Sequence, residues 1–151
     1  MLRLSKKADY ALIAMKHLAL RTDRGASSSA REIAEQYDIP IELMAKVLQR
    51  LVKTGLLASH QGTRGGYQLG RPAVTISIAD VIQAIDGPLQ VTACSPDDEL
   101  CDQYSKCNVR DPLWRIKERI LEALRSCSIG ELAADNTPAP SIHTAVLLHS
   151  R

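Results

Sequence analysis

Three of the four cysteines, Cys94, Cys101 and Cys107, lie in one acidic stretch with six and then five residues between them. Few apolar residues accompany them, so this stretch has little means of packing a core of its own. Thiolates are the ligands that favour zinc and iron–sulfur clusters. Zinc sites usually take cysteines in pairs about two to four residues apart, and no such pair occurs here. The spacing favours an iron–sulfur cluster, with a redox disulfide or uncommitted thiols as the alternatives.

The composition restricts the class of protein. A chain of 151 residues can form one domain with a hydrophobic core, or a small domain with an attachment. It has no apolar run near the roughly 18 residues of a membrane span, and its first residues lack the apolar core of a signal peptide. We therefore expect a cytoplasmic protein without membrane contact, where grouped cysteines more often bind metal than form structural disulfides. The four histidines are scattered and no nucleophile–base pair is evident, so we expect no enzymatic activity.

Charge is distributed unevenly along the chain. Residues 1–71 contain 12 Lys and Arg against 6 Asp and Glu, whereas residues 72–151 contain 7 against 11. The two parts therefore carry net charges of +6 and −4. A basic part followed by an acidic part is typical of a polyanion-binding module joined to another unit.

The basic part has the pattern of a helix-turn-helix. An amphipathic helix is predicted from Ser5 to about Arg21, and Ser29 begins a second helix with a capping box to Glu32. This second helix, Ala30–Tyr37, is separated by a short turn from a third, Ile41–Lys53. Two short helices joined by so short a turn indicate a helix-turn-helix, and a plain helical hairpin is the alternative.

A glycine-tipped hairpin is predicted after the third helix. Strands Leu56–His60 and Tyr67–Leu69 flank a turn whose glycines permit positive φ angles, with Arg64 at its tip. Three helices and a hairpin make a winged helix, in which the third helix enters the major groove and Arg64 reaches the minor groove or phosphate. The DNA-contact candidates are Lys6, Lys7, Ser29, Arg31, Pro40, Ile41, Glu42, Lys46, Gln49, Arg50 and Arg64.

The region after the cysteines predicts a long helix that needs a packing partner. Asp111–Pro112 starts it, and it runs to about Ser126. Its apolar stripe is Leu113, Ile116, Ile120, Leu124 and Cys127, and we interpret Cys127 as a packing residue. The stripe predicts a two-fold homodimer, and folding back onto its own domain is the alternative.

These patterns predict a mainly α fold with four regions. Residues 1–87 form a winged helix-turn-helix domain with a small β-hairpin wing, and residues 88–111 form the cysteine loop. Residues 112–133 form the dimerisation helix and its cap, and residues 134–151 form a flexible tail.

Four stretches together resemble the IscR/NsrR/RirA family of bacterial winged-helix iron–sulfur transcription regulators. They are Leu4–Leu12, Leu48–Leu56, Gly62–Leu69 and the cysteine loop leading into Asp111–Trp114. The resemblance covers about residues 1–133, and it is closest to regulators of SUF-type cluster assembly.

The resemblance implies a homodimer that binds double-stranded DNA at a near-palindromic operator. It implies that Cys94, Cys101 and Cys107 bind a 2Fe–2S or 4Fe–4S cluster, and that cluster status controls cluster-assembly or iron-related genes, with repression as the expected sign. A nitric oxide or redox sensor using the same cluster is one alternative. A small iron–sulfur electron carrier is the alternative from another class, although a carrier would not need a basic wing.

The resemblance leaves the fourth cluster ligand open. Some members use a histidine three positions after the third cysteine, where this chain has Arg110. Nitric-oxide-sensing members use an aspartate of the partner's first helix, which corresponds here to Asp9 of the partner subunit. His60, Glu99 or an exogenous thiol are further candidates. Ala45 stands where some members carry an acidic residue that tunes site selectivity, which implies different operators.

Overall fold

Helices and one short hairpin make up the computed structural model, which describes residues 3–22, 25–90 and 101–135. The elements are α1 (Lys6–Thr22), α2 (Ala30–Gln36), α3 (Ile41–Lys53), β1 (Leu57–His60), β2 (Gly66–Leu69), a short 3-10 helix (Ala73–Thr75), α4 (Ile78–Asp86), α5 (Arg110–Ser126) and α6 (Ile129–Ala134). The order confirms the mainly α winged-helix fold predicted from the sequence.

Serine side chains begin four of the helices. Ser5 Oγ accepts a 3.1 Å hydrogen bond from the Ala8 amide at the start of α1. Ser29, Ser77 and Ser128 each form a capping box with the acidic residue three positions later. Each box satisfies amides that a helix leaves without intrahelical partners, which fixes where α2, α4 and α6 begin.

Helices α1, α2 and α3 form the centre of the hydrophobic core. Six of its fully buried large side chains come from these helices, namely Met15, Leu18, Ile33, Met44, Leu48 and Leu51. On α3 the buried positions follow the three-and-four spacing of an amphipathic helix, so its other face is left to solvent.

The wing is attached to the segment before α2. Strands β1 and β2 pair antiparallel, with Leu57 opposite Leu69 and His60 opposite Gly66. Ser28 adds a bridge to Tyr67 of β2 through two backbone hydrogen bonds of 2.8 and 3.1 Å. A Cβ atom at Gly66 would lie 2.7 Å from the Ser28 carbonyl oxygen, so this close approach requires glycine.

The start of α6 is part of the same core. The Ile129 amide donates to the Ile76 carbonyl at 2.8 Å, and the Ile78 amide donates to the Cys127 carbonyl at 2.9 Å. Ile76 and Ile129 are both fully buried, and α6 packs against α1. The chain thus returns to the N-terminal core after α5.

Helix α5 begins earlier than the sequence predicts. Its cap is Val109 and its first residue is Arg110, so the expected cap, Asp111, lies inside the first turn. Leu121 is buried, whereas Leu113 and Ile116 are 39% and 47% exposed.

No helix among the described residues is long and apolar enough to cross a membrane.

Two sequence predictions concern residues that lie largely or wholly beyond the described ranges. The tail predicted at 134–151 is described only at its first two residues, and Ala134 is there the last residue of α6. Cys94 also lies outside the described residues.

Candidate DNA-binding surface and cysteine segment

The solvent face of α3 carries the residues predicted to read DNA. Glu42, Lys46 and Gln49 are exposed on it, and Ile41 at its N-terminus is 41% exposed. Pro40 caps the helix without a side-chain hydrogen bond. Charged and amide side chains on an exposed helix can reach phosphates and base edges, so this face is chemically suited to a major groove.

Arg50 is the candidate on α3 whose position differs most from the expectation. Its Nε donates a 2.9 Å hydrogen bond to the Ala84 carbonyl near the end of α4. This contact holds the Nε edge of the guanidinium against α4. The Arg50 side chain is nonetheless exposed, so its predicted DNA contact stays a prediction beside this packing role.

The candidates on α1 and α2 lie at helix starts. Lys6 and Lys7 are exposed in the first turn of α1, with Lys6 Nζ 5.8 Å from the Tyr10 ring centroid. Ser29 caps α2, and Arg31 is an exposed residue 3.8 Å from Glu35. A surface pair of this kind contributes little to stability, so Arg31 can exchange it for a phosphate.

Polar contacts hold the tip of the wing near the loop before α2. Ser27 Oγ donates to the Arg64 carbonyl at 2.8 Å, and Gln68 Nε2 donates to the Gly25 carbonyl at 3.3 Å. The Arg64 side chain is exposed. The backbone of the tip is thus tethered while the guanidinium remains in solvent, where it can contact DNA.

A buried polar cluster on α1 was missed by the sequence analysis. His17 is 5% exposed; its Nδ1 lies 3.1 Å from Tyr37 Oη and its Nε2 lies 3.2 Å from Ser28 Oγ. Arg21 donates to the same Ser28 oxygen at 3.1 Å. Burial and the nearby Arg21 charge lower the pKa of His17 below 6.5, partly opposed by Glu32. The sequence carried a signal for the burial of His17, because His17 follows Ala14 by three residues and so lies on the same buried face of α1.

The cysteine segment is described from Cys101 onward. Cys101 and Cys107 are half-buried free thiols in a run of tight turns, in which the Tyr104 amide donates to the Cys101 carbonyl at 2.9 Å. Two residues after Cys107 the chain enters α5 through its cap, Val109. Cys127, also a half-buried free thiol, is at the other end of α5.

Arg110 folds back over the cysteine segment. Its guanidinium carbon lies 4.3 Å from the Tyr104 ring centroid, and its Nη1 donates to the Tyr104 carbonyl at 3.3 Å. Its Nε donates to Asp111 at 2.9 Å, and this bond raises the pKa of Arg110 further above its ordinary value. A guanidinium that stays protonated offers no lone pair to a metal, so Arg110 cannot take the place of a histidine ligand.

The other candidates for a fourth ligand are spread over the chain. Asp9 is exposed in the first turn of α1, and His60 is exposed on β1. Glu99 lies outside the described residues. Within residues 3–22, 25–90 and 101–135, no three His, Cys, Asp or Glu side chains are grouped closely enough to hold a metal ion. Of the three predicted cysteine ligands, the described part contains Cys101 and Cys107, whose thiols are donors that suit an iron–sulfur cluster.

Comparisons with known proteins point to transcriptional regulators. The model of the Rrf2 family, described as an iron-dependent transcriptional regulator, matches residues 4–135. The HTH-type transcriptional regulator IscR of Vibrio vulnificus (strain YJ016) is 35% identical over 136 residues, which cover 89% of this chain and 79% of that protein.

Solved structures give the same fold. CymR, the global cysteine regulator of B. subtilis, superposes with a TM-score of 0.73 at 28% identity, covering 89% of this chain and 98% of that one. T. potens IscR has a TM-score of 0.70 at 24% identity, covering 94% and 96%. These relatives are regulators, which confirms the expectation of a regulator rather than an enzyme. The chain belongs to the Rrf2 family of iron-dependent transcriptional regulators.

Proposed function

We propose that this regulator is a homodimeric repressor whose affinity for a near-palindromic operator depends on an iron–sulfur cluster held by Cys94, Cys101 and Cys107. The observation that carries the proposal is the continuity between the cysteine segment and α5. Cys107 lies two residues before the Val109 cap, and α5 exposes Leu113 and Ile116 to solvent.

The DNA-binding surface of each subunit would comprise α3 and the wing. Lys46 and Gln49 of α3 are exposed and available to phosphate and base edges, and Arg64 extends from a tethered wing tip. Residues 1–71 carry a net charge of +6, which favours association with DNA through counterion release.

The proposed dimer interface is the apolar face of α5. Leaving side chains such as Leu113 and Ile116 in water costs free energy, and a second copy of α5 would bury both at once. Two-fold pairing would place two α3 helices on successive major grooves of one duplex, about one helical turn or a multiple of it apart.

The cysteine ligands would connect cluster status to this interface. A bound cluster would supply a redox-active centre that oxygen, nitric oxide or iron shortage can alter. Closing Cys94, Cys101 and Cys107 around one site would order the acidic segment directly before α5. Asp9 of the partner subunit is our candidate fourth ligand, because Asp9 is exposed at the start of α1. Regulation requires that the cluster-bound and cluster-free forms of the protein differ in their free energy of DNA binding.

The genes we propose as targets are those of cluster assembly or iron metabolism. The proposal rests on the resemblance of the chain to SUF-type regulators and on the name IscR borne by its relatives. Repression is the simplest sign, because a dimer seated on an operator obstructs the promoter it overlaps.

The test is to purify the protein without oxygen and compare it with Cys101→Ala. We expect visible absorbance with bound iron and sulfide in the wild type, loss of both in the variant, and different affinities for a duplex selected from a random pool. Cys127→Ala is the matched control and should keep the chromophore. A colourless wild type whose DNA affinity is unaffected by iron, sulfide or Cys101→Ala would refute cluster sensing.

A further inference from the structure

We propose that His17 is a positioning residue for DNA binding, which holds the wing and the α2–α3 unit in one arrangement on α1 only while its ring is neutral. This inference rests on the DNA-binding surface proposed above. His17 itself would touch neither DNA nor the cluster.

The geometry makes His17 a bridge between two segments. Its two ring nitrogens lie 3.1 Å from Tyr37 Oη and 3.2 Å from Ser28 Oγ, and the ring meets that of Tyr37 edge-on at a centroid distance of 5.6 Å. His17 is 5% exposed and Ser28 is fully buried. Water therefore cannot readily replace the Ser28 hydroxyl when that bond is lost, whereas Tyr37 is 37% exposed.

The Ser28 side of the bridge leads to the wing. Ser28 exchanges two backbone hydrogen bonds with Tyr67 of β2, and its neighbours are Ser27, which binds the Arg64 carbonyl, and Ser29, which caps α2. A shift of Ser28 would therefore move the wing tip and the start of α2 together.

The Tyr37 side of the bridge leads to α3. Tyr37 is the C-cap of α2 and directly precedes the turn into α3, where Asp38 adopts a positive φ of 52°. The turn is closed by the Ile39 amide, which donates to the Ala34 carbonyl at 2.9 Å. Fixing Tyr37 against α1 thus fixes the direction in which α3 leaves the turn.

Protonation conflicts with this arrangement. A neutral imidazole offers one donor and one acceptor, which suits two hydroxyl partners. Arg21 already donates to Ser28 Oγ at 3.1 Å, so a second cation at 3.2 Å from the same oxygen would place two positive charges on one buried hydroxyl. Glu32 is an acidic group that opposes this repulsion, Tyr37 is a further titratable group against the ring, and burial lowers the pKa of His17.

The experiment compares His17→Gln and His17→Leu with the wild type on a duplex selected from a random pool, between about pH 5.5 and 8. Glutamine keeps a donor and an acceptor but does not titrate; leucine removes both. We expect roughly tenfold weaker binding for His17→Leu than for the wild type near pH 8, where the wild-type ring is neutral, for the loss of one buried and one half-buried hydrogen bond. His17→Gln should have the DNA affinity of the wild type near pH 8, and an increasingly higher affinity than the wild type as the pH falls.

Two further measurements separate positioning from general destabilisation. Ile33→Val, a buried substitution on α2, should lower the melting temperature and leave the DNA affinity within about twofold. In hydrogen exchange, His17→Leu should deprotect the Ser28 and Tyr67 amides while Gly70, which donates to Leu56 at the far end of the hairpin, stays protected.

The outcomes are distinguishable. The inference would be overturned if the DNA affinities of the wild type and His17→Gln changed in parallel with pH. It would also be overturned if the hydrogen exchange of the Ser28 and Tyr67 amides were the same in His17→Leu as in the wild type. If the wild type bound no duplex from the pool, the proposed DNA surface would be wrong. The inference that His17 positions that surface would then fall with it, whereas the exchange data would still report the bridge.

Discussion

Arg50 Nε donates a 2.9 Å hydrogen bond to the Ala84 carbonyl and so joins α3 to the end of α4. The Ser5 amide and hydroxyl both donate to Asp86, the last residue of α4. The end of α4 therefore contacts the helix proposed to read DNA and the first turn of α1, where the candidate ligand Asp9 lies. A change in the position of α4 would reach both regions.

Replacing Arg50 by alanine should reduce stability more than DNA recognition. The lost bond to Ala84 should lower the free energy of unfolding by about 1 kcal/mol, measured by urea denaturation. Lys53→Ala, an exposed change on the same helix, should leave it nearly unchanged. Unaltered stability combined with a large loss of operator affinity in Arg50→Ala would instead place Arg50 on the DNA.

Lys46→Ala should weaken DNA binding without affecting folding. Lys46 is exposed on α3, so its loss should remove one phosphate contact and reduce the slope of log affinity against log salt by about 1. Filter binding at several salt concentrations measures this slope. Arg119→Ala, an exposed change on α5, serves as the control; equal slopes in both variants would contradict the proposed surface.

Gly66→Ala should destabilise the junction between the wing and the α2 start. The new Cβ would lie 2.7 Å from the Ser28 carbonyl oxygen, and accommodating it should cost about 1–3 kcal/mol of unfolding free energy. Gln68→Ala on the same strand should cost much less. Thermal denaturation of both variants provides the measurement, and equal melting temperatures would argue against the close approach.

Acidification should reduce the stability of the fold through His17. Its pKa is lower folded than the ordinary 6.5, so below that pH the unfolded chain binds more protons than the folded one. This stability is complete above about pH 6.5 and is lost as the pH falls toward the folded pKa. Denaturant curves at several pH values should show that His17→Gln loses less unfolding free energy on acidification than the wild type does. Equal losses in the two proteins would count against the depressed pKa.

Ile116→Glu should weaken the proposed homodimer. Ile116 is 47% exposed on the apolar face of α5, and a carboxylate there would be buried unpaired in a two-fold interface. Sedimentation velocity should detect a shift toward monomer. Glu118→Gln, an exposed substitution on the same helix, should leave the oligomeric state unchanged, and a monomeric wild type would exclude α5 pairing altogether.

Local sequence signals predicted the elements well. The bounds of α3, Ile41–Lys53, agree at both ends, because Pro40 and the glycine after Thr54 restrict where the helix can run. The capping box at Ser29 was predicted from a serine followed three residues later by glutamate. The predicted start of α5 was wrong. Proline has no amide hydrogen, and every position in the first turn of a helix leaves its amide without an intrahelical partner, so Pro112 fits any of these positions. It therefore marks the first turn of α5 but not its first residue.

Contacts between distant residues could not be predicted in the same way. Arg50 was assigned to the DNA-contact face because its side chain is basic, and only the position of α4 shows that Ala84 accepts its Nε bond. His17 and Tyr37 are 20 residues apart, and no sequence rule pairs them. The cluster predicted from the type and spacing of the cysteines stays a prediction, because the distances between their thiols depend on how the acidic segment folds.

The packing of Ile129 in the same core as Ile76 also determines the order in which parts of the protein can fold during synthesis. Both side chains are fully buried in the core that supports α3 and the wing, yet Ile129 follows the whole cysteine segment in the chain. During translation, the DNA-binding domain therefore lacks the Ile129 side chain until the cysteines have already emerged from the ribosome. The thiols thus become accessible to cellular iron and sulfide before the domain they would control has closed.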